Sequence, residues 1–288
     1  MIFDPNPEAI QEFCLRDPIR YRHILNDAHT YFPELAHAMF EYYQPRPANN
    51  AATFYANALN NISMLGVCRN RRFRLEGELQ NESTQALRDW CAALGLTGAA
   101  TTSEAMLGVL GDVLGQDGWS VNHHYWVSRE SFRQCSAENI CKLSKDDRPA
   151  FEAFLQQPAD TPFLTIGQSD DTIGRDLTFM SAGLPVRCYG ARIGTDIVGV
   201  ITGLPITDQH VDLARIHVLR EYRGRGIGRS LISKATADLL QQGLQPVFAT
   251  QGDGHIMGRL LGSLGYRLAC YFWHCRYWGC QKQPPKFA

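Results

Sequence analysis

The segment Arg223–Gly228 constrains the fold more than any other stretch of this 288-residue sequence. An apolar stretch, Val211–Leu219, precedes it and is typical of a buried strand, whereas Ser230–Gln242 follows with the spacing of an amphipathic helix that ends at Gly243. A strand, a basic glycine-rich turn and a helix in this order direct backbone N–H groups and the positive end of the helix dipole at one point. Glycine lets the backbone approach a ligand, and arginine side chains bind phosphate oxygens. The sequence therefore predicts a phosphate-binding turn.

Two other phosphate-binding loops fit these residues less well. A dinucleotide-binding loop has the pattern G-x-G-x-x-G, with an acidic residue roughly 20 positions further on. Here Gly224, Gly226 and Gly228 alternate with other residues, and the next predicted strand, Val247–Thr250, ends without an acid. A Walker loop requires a Lys-Ser/Thr pair, which does not follow. The remaining alternative is an ordinary strand-to-helix turn with surface arginines.

The spacing Arg-x-x-Gly-x-Gly, formed by Arg223, Gly226 and Gly228 with Tyr222 just before it, resembles the acyl-CoA-binding motif of the GCN5-related N-acetyltransferases (GNAT). In that family the loop grips the pyrophosphate of CoA. The resemblance covers Glu138–Trp278, and Gly265–Tyr266 matches the Gly-Phe/Tyr pair that opens the last strands of the family. It implies an α/β (α+β) fold, with a mixed, mostly antiparallel sheet flanked by helices, and acetyl-CoA or another acyl-CoA as the cosubstrate.

The first half of the chain echoes the second. The predicted hairpin Ile62–Leu79 resembles Val186–Leu204, and both halves close with histidine and aromatic residues. We therefore predict two GNAT-like halves, residues 1–134 and 135–288, the alternative being a helical N-terminal domain unrelated to the second. Where the second half has its basic glycine loop, the first has Asn81–Thr84, and an acidic residue there, Glu82, is unfavourable for pyrophosphate. The first half is expected to be a degenerate copy that shapes or covers the acceptor site.

Charge and cysteine usage exclude several classes of protein. The chain has 28 basic and 29 acidic residues, a balance that gives no reason to expect nucleic acid or a membrane as partner. Its nine cysteines are scattered, as is typical of reduced thiols in the cytoplasm. The C-terminal group Cys270, His274, Cys275 and Cys280 lacks a second spaced pair, so no metal site is expected. Neither a signal peptide nor an apolar run long enough for a bilayer is evident. The oligomeric state is open between monomer and homodimer.

The resemblance assigns the cosubstrate to two groups of residues. The pantetheine arm would bind backbone groups at the end of the strand before the loop, which are Ile216, His217 and Val218. The pyrophosphate would bind the loop, formed by Arg223, Gly224, Arg225, Gly226, Ile227 and Gly228.

Acyl transfer to an amine also requires a base, because ammonium is not a nucleophile. The family often places a carboxylate on the strand before the loop, and the position used by histone-type enzymes corresponds to His210. Neutral histidine serves as a base near pH 7. Asp212, two residues further on, faces the same side of the strand. Asp212 and His210 are therefore the candidate catalytic bases, and the alternative is that either is an ordinary polar residue at a strand end.

The leaving thiolate is protonated in many family members by a tyrosine on the helix after the fifth strand. Counting back from Gly265–Tyr266, Gly254 stands where the family has asparagine and Leu261 where it has this tyrosine. Either the thiolate leaves unaided, which its pKa of about 8.5 permits, or His255, Tyr266 or Tyr271 acts instead.

Together these features predict an N-acyltransferase in which the acceptor amine attacks the thioester directly in a ternary complex, without a covalent enzyme intermediate. The acceptor is a small-molecule or protein amine. The departure at Leu261 keeps an alternative open: a non-catalytic acyl-CoA-binding regulatory module.

Overall fold

The computed structural model describes residues 2–3, 5–21, 24, 53–56, 64–69, 72–77, 84–96, 98–156, 176, 178–251 and 255–276. Residues 81–83, Gly254 and Cys280, which the sequence singled out, lie outside this part. In the described residues, six strands come from the first half of the chain: β1 Ile2–Phe3, β2 Thr53–Ala56, β3 Met64–Arg69, β4 Arg72–Gly77, β5 Gly98–Thr101 and β6 Trp119–Trp126. Six come from the second: β7 Ile140–Lys142, β8 Arg187–Ile193, β9 Asp196–Pro205, β10 His210–Val218, β11 Gln245–Gln251 and β12 Arg267–Arg276. The α-helices with assigned bounds are α1 Pro7–Leu15, α2 Thr84–Ala93, α3 Glu104–Leu114, α4 Arg148–Leu155, α5 Ile227–Gln241 and α6 His255–Ser263.

All twelve strands form one sheet, in which the two halves exchange their last strands. The order is β1-β2-β3-β4-β5-β12-β6-β11-β10-β9-β8-β7. Strand β12 pairs with β5 of the first half, and β6 pairs with β11 of the second. The two exchanged strands also pair with each other along Arg267–Cys275. The fold class predicted from the sequence, a mostly antiparallel sheet flanked by helices, is confirmed. The division between residues 134 and 135 stays a prediction, because the sheet runs through both halves.

The internal repeat is visible in how each half separates its two parallel strands. Strand β4 pairs with β5 over three residues, Arg72–Arg74, and β10 pairs with β11 over three, His210–Asp212. Beyond these residues the paired register ends in both halves. Each half therefore contains a wedge between two diverging parallel strands, which supports a common architecture.

The wedge of the second half lies between two packed layers. Helices α5 and α6 cover one face, where Leu231, Ala235 and Leu239 recur every four residues along α5 and are fully buried with Leu261 of α6. Helix α4 covers the other face through Phe151 and Phe154. None of the helices described is long and apolar enough to span a membrane.

Candidate functional site

The wedge between β10 and β11 opens beside the glycine loop. The last paired residues are Asp212 and Val247, and β11 then continues to Gln251 with β6 as its partner. On its other side, β10 remains paired with β9 as far as Val218. The β10 edge from Leu213 to Val218 therefore faces the wedge, and it ends five residues before the glycine loop begins at Arg223. This geometry suits a linear ligand that extends from the loop towards Asp212.

A bulge shapes the wall of this wedge. The register between β10 and β9 shifts between Ala214 and Ile216, and Arg215 has a positive φ of 58°, an uncommon conformation for a residue other than glycine. The extra residue resets the alternation, so that Ile216 and Val218 face the same α5-side core as Val211 and Leu213. Without the bulge, Arg215 and His217 would point into that core.

A buried ion pair holds the bulge. Arg215 Nη1 lies 3.2 Å from Oδ2 of Asp176, a residue without solvent exposure. Thr202 Oγ1 on β9 donates a hydrogen bond of 2.6 Å to the same carboxylate oxygen. A buried charge is tolerated when it is paired and hydrogen-bonded. Asp176 therefore ties the strand bulge to the neighbouring strand from outside the sheet.

The residues expected to bind the pantetheine arm lie on the wedge-facing strand. Ile216, His217 and Val218 pair with Ile201, Val200 and Gly199 of β9 on the side away from β11. The side chain of His217 points to the α4 face, where its ring lies 5.6 Å from that of Phe154. These residues stand where the prediction requires them, and their binding role remains a prediction.

The glycine loop has the backbone conformation of an anion-binding turn. Gly224 and Gly226 have φ values of 75° and 79°, and a Cβ atom at either position would meet no atom within 4 Å. Glycine is thus favoured by the backbone conformation rather than by lack of space. Helix α5 begins at Ile227, three residues earlier than the sequence predicted, so Ile227 and Gly228 form its first turn. Its N-cap, Gly226, offers no side chain to the first N–H groups, which leaves them available to a ligand.

The loop arginines are anchored beside this helix end. Arg223 Nε donates to the carbonyl oxygen of Val218 at 2.9 Å, and Arg225 Nη2 donates to that of Glu221 at 2.9 Å. The guanidinium of Arg225 also stacks over the ring of Tyr222, 5.3 Å from its centroid. Both arginines are exposed, so their positive charge is held at the mouth of the wedge and remains accessible to an anion.

The two candidate bases lie at different distances from the opening of the wedge. Asp212 is the last β10 residue paired with β11, at the apex. His210 begins the strand, two residues further from the loop, with Nδ1 2.9 Å from Thr207 Oγ1. Burial lowers the pKa of His210 despite the opposing effect of Asp208 and Asp17, which keeps the imidazole neutral. Asp212 is better placed, and His210 has the protonation state of a base.

The candidate acids are less suited to their task. Leu261 is fully buried in the core. Tyr266 is buried, its hydroxyl oxygen lies 2.6 Å from Thr236 Oγ1 of α5, and burial raises its pKa. His255 is exposed at the start of α6, and Tyr271 is partly exposed with its ring 5.1 Å from that of His123. Tyr266 is thus a structural residue.

Sequence reasoning missed a tyrosine from the first half. Tyr125 on β6 lies beside β11, and its hydroxyl contacts α6 at Gly258, where a Cβ atom would stand 2.7 Å from Tyr125 Oη. Nothing in the second half of the sequence could have indicated it, because it arrives through the strand exchange.

The wedge of the first half is closed by a carboxylate. Glu76 on β4 is buried, and its two oxygens accept hydrogen bonds of 2.9 and 3.0 Å from the backbone N–H of Thr102, just after β5. The hydroxyl of Thr102 donates a third, of 2.6 Å. Burial raises the pKa of Glu76 to about 7. A cavity of about 680 Å³ lies beside this clamp, lined in part by Arg20, Ser103 and Trp273.

No group of three or more metal-ligating side chains occurs in the part of the chain that the structure describes. Cys270 and Cys275 are both buried thiols there, and Cys270 Sγ lies 3.7 Å from His124 Nδ1.

Comparison with known proteins agrees with this geometry. The model of the acetyltransferase (GNAT) family matches residues 140–266. No curated protein matches the chain at a significant level.

Three solved structures cover nearly all of the chain. A protein from Drosophila is 15% identical with a TM-score of 0.62, covering 96% of this chain and 98% of that one. A GNAT-family acetyltransferase from Colwellia psychrerythraea is 12% identical with a TM-score of 0.56, covering 95% and 98%. A tandem GNAT protein from the clavulanic acid biosynthesis pathway is 13% identical with a TM-score of 0.52, covering 97% and 99%. At these identities the likeness is one of fold.

The fold and the wedge with its glycine loop resemble those of GNAT proteins. Residues 140–266 match the acetyltransferase (GNAT) family, and the whole chain shares the fold of a solved tandem GNAT protein.

Proposed function

We propose that the protein is an N-acyltransferase that transfers an acetyl group from acetyl-CoA to an amine by direct attack in a ternary complex. The observation that carries this proposal is the wedge between β10 and β11, with its open edge at Ile216–Val218 and the anion-binding turn at its mouth. A CoA thioester has the matching shape, a charged pyrophosphate joined to a linear amide-containing arm.

The proposed mechanism follows from the position of each group. The N–H groups of Ile227 and Gly228, with Arg223 and Arg225, bind the pyrophosphate. The arm runs along the β10 edge, which brings the thioester towards the apex at Asp212. There Asp212, directly or through water, or His210 takes the proton of the attacking amine.

The first half binds no second acyl-CoA in this proposal. Glu76 and Thr102 join the two strands that would have to stay apart, and a carboxyl group stands where the arm would enter. One acyl-CoA per chain is therefore expected.

Titration calorimetry with acetyl-CoA tests the shared binding step. We expect one site in the wild-type protein and a loss of binding of at least a hundredfold in Gly226→Val, because a β-branched residue is strained at the positive φ of this N-cap. Gly243→Val is the matched control, since Gly243 has a φ of 75°, no atom within 4 Å of its would-be Cβ and a place at the far end of α5. Unchanged binding in Gly226→Val would show that the loop is not the site.

Release of CoA thiol across a panel of amines tests the transfer step. The panel contains polyamines, amino acids, arylamines and peptides with free amino groups. Turnover with any of them supports an acyltransferase and begins to define the acceptor. Binding of acetyl-CoA without turnover on every amine would instead favour a regulatory module.

We also propose that the protein works in the cytoplasm, as a monomer or homodimer, with a small-molecule or protein amine as its partner and without nucleic acid, membrane or metal. Seven of the cysteines in the described part of the chain are free thiols, which agrees with a reducing compartment.

A further inference from the structure

A group of polar side chains lies within the apolar layer under α6. His123 and Tyr125 of β6 stand opposite Thr250 and Phe248 of β11, and the rings of His123 and Tyr125 are 6.5 Å apart. The Nδ1 atom of His123 and the Oγ1 atom of Thr250 are buried and have no hydrogen-bond partner among the described residues. Buried polar groups are nearly always paired in native proteins, and exceptions often have a functional reason. These two unpaired polar atoms lie close to Tyr125, and core packing alone does not explain why polar residues occupy these positions.

Tyr125 is level with the apex of the acyl-CoA wedge. Its partner Phe248 directly follows Val247, the last β11 residue that pairs with β10. Tyr125 packs against the core cluster that contains Phe248 and α6 residues. Its hydroxyl therefore lies on the α6 side of the sheet, next to β11, the strand that borders the wedge on the side opposite β10.

The contact with α6 shows why the hydroxyl fits there. Gly258 leaves the space that Tyr125 Oη occupies, because a Cβ atom at this position would lie 2.7 Å from it. Leu261 stands three residues further on the same helix face and is fully buried. At these two positions α6 itself offers no proton donor, and the phenol reaches the helix from a strand of the other half.

The environment keeps this phenol protonated. Burial, with Tyr271 of β12 nearby, raises the pKa of Tyr125, so the hydroxyl is a donor at neutral pH. His123 on its own strand and Thr250 on β11 are two further polar residues beside it.

We propose that Tyr125 donates a proton to the sulfur of CoA as the acyl group is transferred, an inference that rests on the proposed function. The nitrogen–carbon bond to the acceptor forms, the carbon–sulfur bond breaks, and the thiolate takes the phenolic proton. The phenolate is then protonated again by the proton that the acceptor amine releases. The exchange of β6 thus gives the second half a proton donor that its own helix lacks at Leu261.

Substitution of Tyr125 by Phe removes the proton and little else. We expect kcat for transfer from acetyl-CoA to fall at least tenfold, while the affinity for acetyl-CoA stays within twofold of wild type. General acids typically contribute about 10²–10⁴-fold. Because a thiol is a good leaving group, we expect an effect at or below the lower end of this range. Gly258→Ala should act in the same direction, because the added methyl group displaces the hydroxyl without removing it. Tyr189→Phe is the matched control: its hydroxyl is also buried without a partner among the described residues, and kcat should stay within twofold.

A selenoester of CoA separates proton donation from a structural role. A selenol is far more acidic than a thiol, so its departure needs no proton, and the defect of Tyr125→Phe should largely disappear with acetyl-seleno-CoA. Two results would overturn the inference while the proposed function stands. One is a defect of equal size with acetyl-CoA and acetyl-seleno-CoA, and the other is a kcat of Tyr125→Phe within threefold of wild type on acetyl-CoA. A wild-type protein that turns over no amine in the panel overturns the proposed function, and this inference with it.

Discussion

Arg215 and Asp176 form an ion pair of 3.2 Å inside the protein, at the β10 bulge that borders the proposed thioester site. Asp176 also accepts a hydrogen bond from Thr202, so a single carboxylate joins β9, the bulge of β10 and a segment outside the sheet. The bulge sets which face of the sheet each later β10 residue occupies. This ion pair therefore helps to set which side chains line the wedge.

Asp176→Ala should therefore lower both stability and acetyl-CoA affinity. Removing one partner of a buried ion pair costs about 3–5 kcal/mol. Urea denaturation measures the first effect and titration calorimetry the second. Asp196→Ala on the exposed end of β9 is the control and should change neither. Wild-type affinity in Asp176→Ala at a temperature where it remains folded would show that the bulge does not shape the site.

The sequence predicted the elements of the second half well because each has a local signal. Gly224 and Gly226 of the loop have positive φ, and Leu231, Ala235 and Leu239 repeat with helical spacing. The bulge also has a signal in the sequence, because the apolar residues of β10 follow at two-residue steps except between Leu213 and Ile216.

The role of the first half could not be predicted in the same way. Tyr125 meets Gly258, 133 positions away in sequence, only because the halves exchange their last strands. Glu76 closes its wedge through Thr102, which lies 26 residues away. Pairings of this kind are decided by the topology of the whole sheet, and no short segment specifies them.

Arg223→Ala should weaken acetyl-CoA binding about tenfold. The guanidinium is fixed by the carbonyl oxygen of Val218 at the mouth of the wedge, and its loss removes a charge from an exposed anion site. The loss should shrink as salt is raised, because exposed charges are screened. Arg148→Ala, which removes an exposed arginine of α4 paired with Glu152, is the control. Calorimetry at two salt concentrations measures the affinity for acetyl-CoA. Equal affinities for Arg223→Ala and wild type would show that Arg223 does not contribute to binding.

Tyr266→Phe should separate a structural tyrosine from a catalytic one. Its hydroxyl is hydrogen-bonded to Thr236 in the core, so the substitution leaves that threonine unpaired and costs about 1 kcal/mol of stability. Transfer activity of the folded variant should stay within twofold of wild type. Urea denaturation measures the free energy of unfolding, and the thiol-release assay measures kcat. A large fall in kcat with unchanged stability would indicate that Tyr266 is a proton donor after all.

Glu76 should make the protein less stable as pH rises through the neutral range. Burial raises its pKa from 4.5 to about 7 in the folded state. Between these values the folded protein binds more protons than the unfolded chain, so the free energy of unfolding falls as pH increases. At about 1.4 kcal/mol per pKa unit, the whole effect amounts to about 3 kcal/mol, complete above about pH 7.

Glu76→Gln provides the comparison, because glutamine fills similar space and does not titrate. Urea denaturation of both proteins at pH 5, 6, 7 and 8 should show the wild type losing stability relative to the variant with each step up to about pH 7. Subtracting the two curves removes the contribution of other titrating groups such as His210. Parallel curves would mean that the carboxyl of Glu76 has an ordinary pKa, and hence that the first wedge is wet rather than closed by a buried acid.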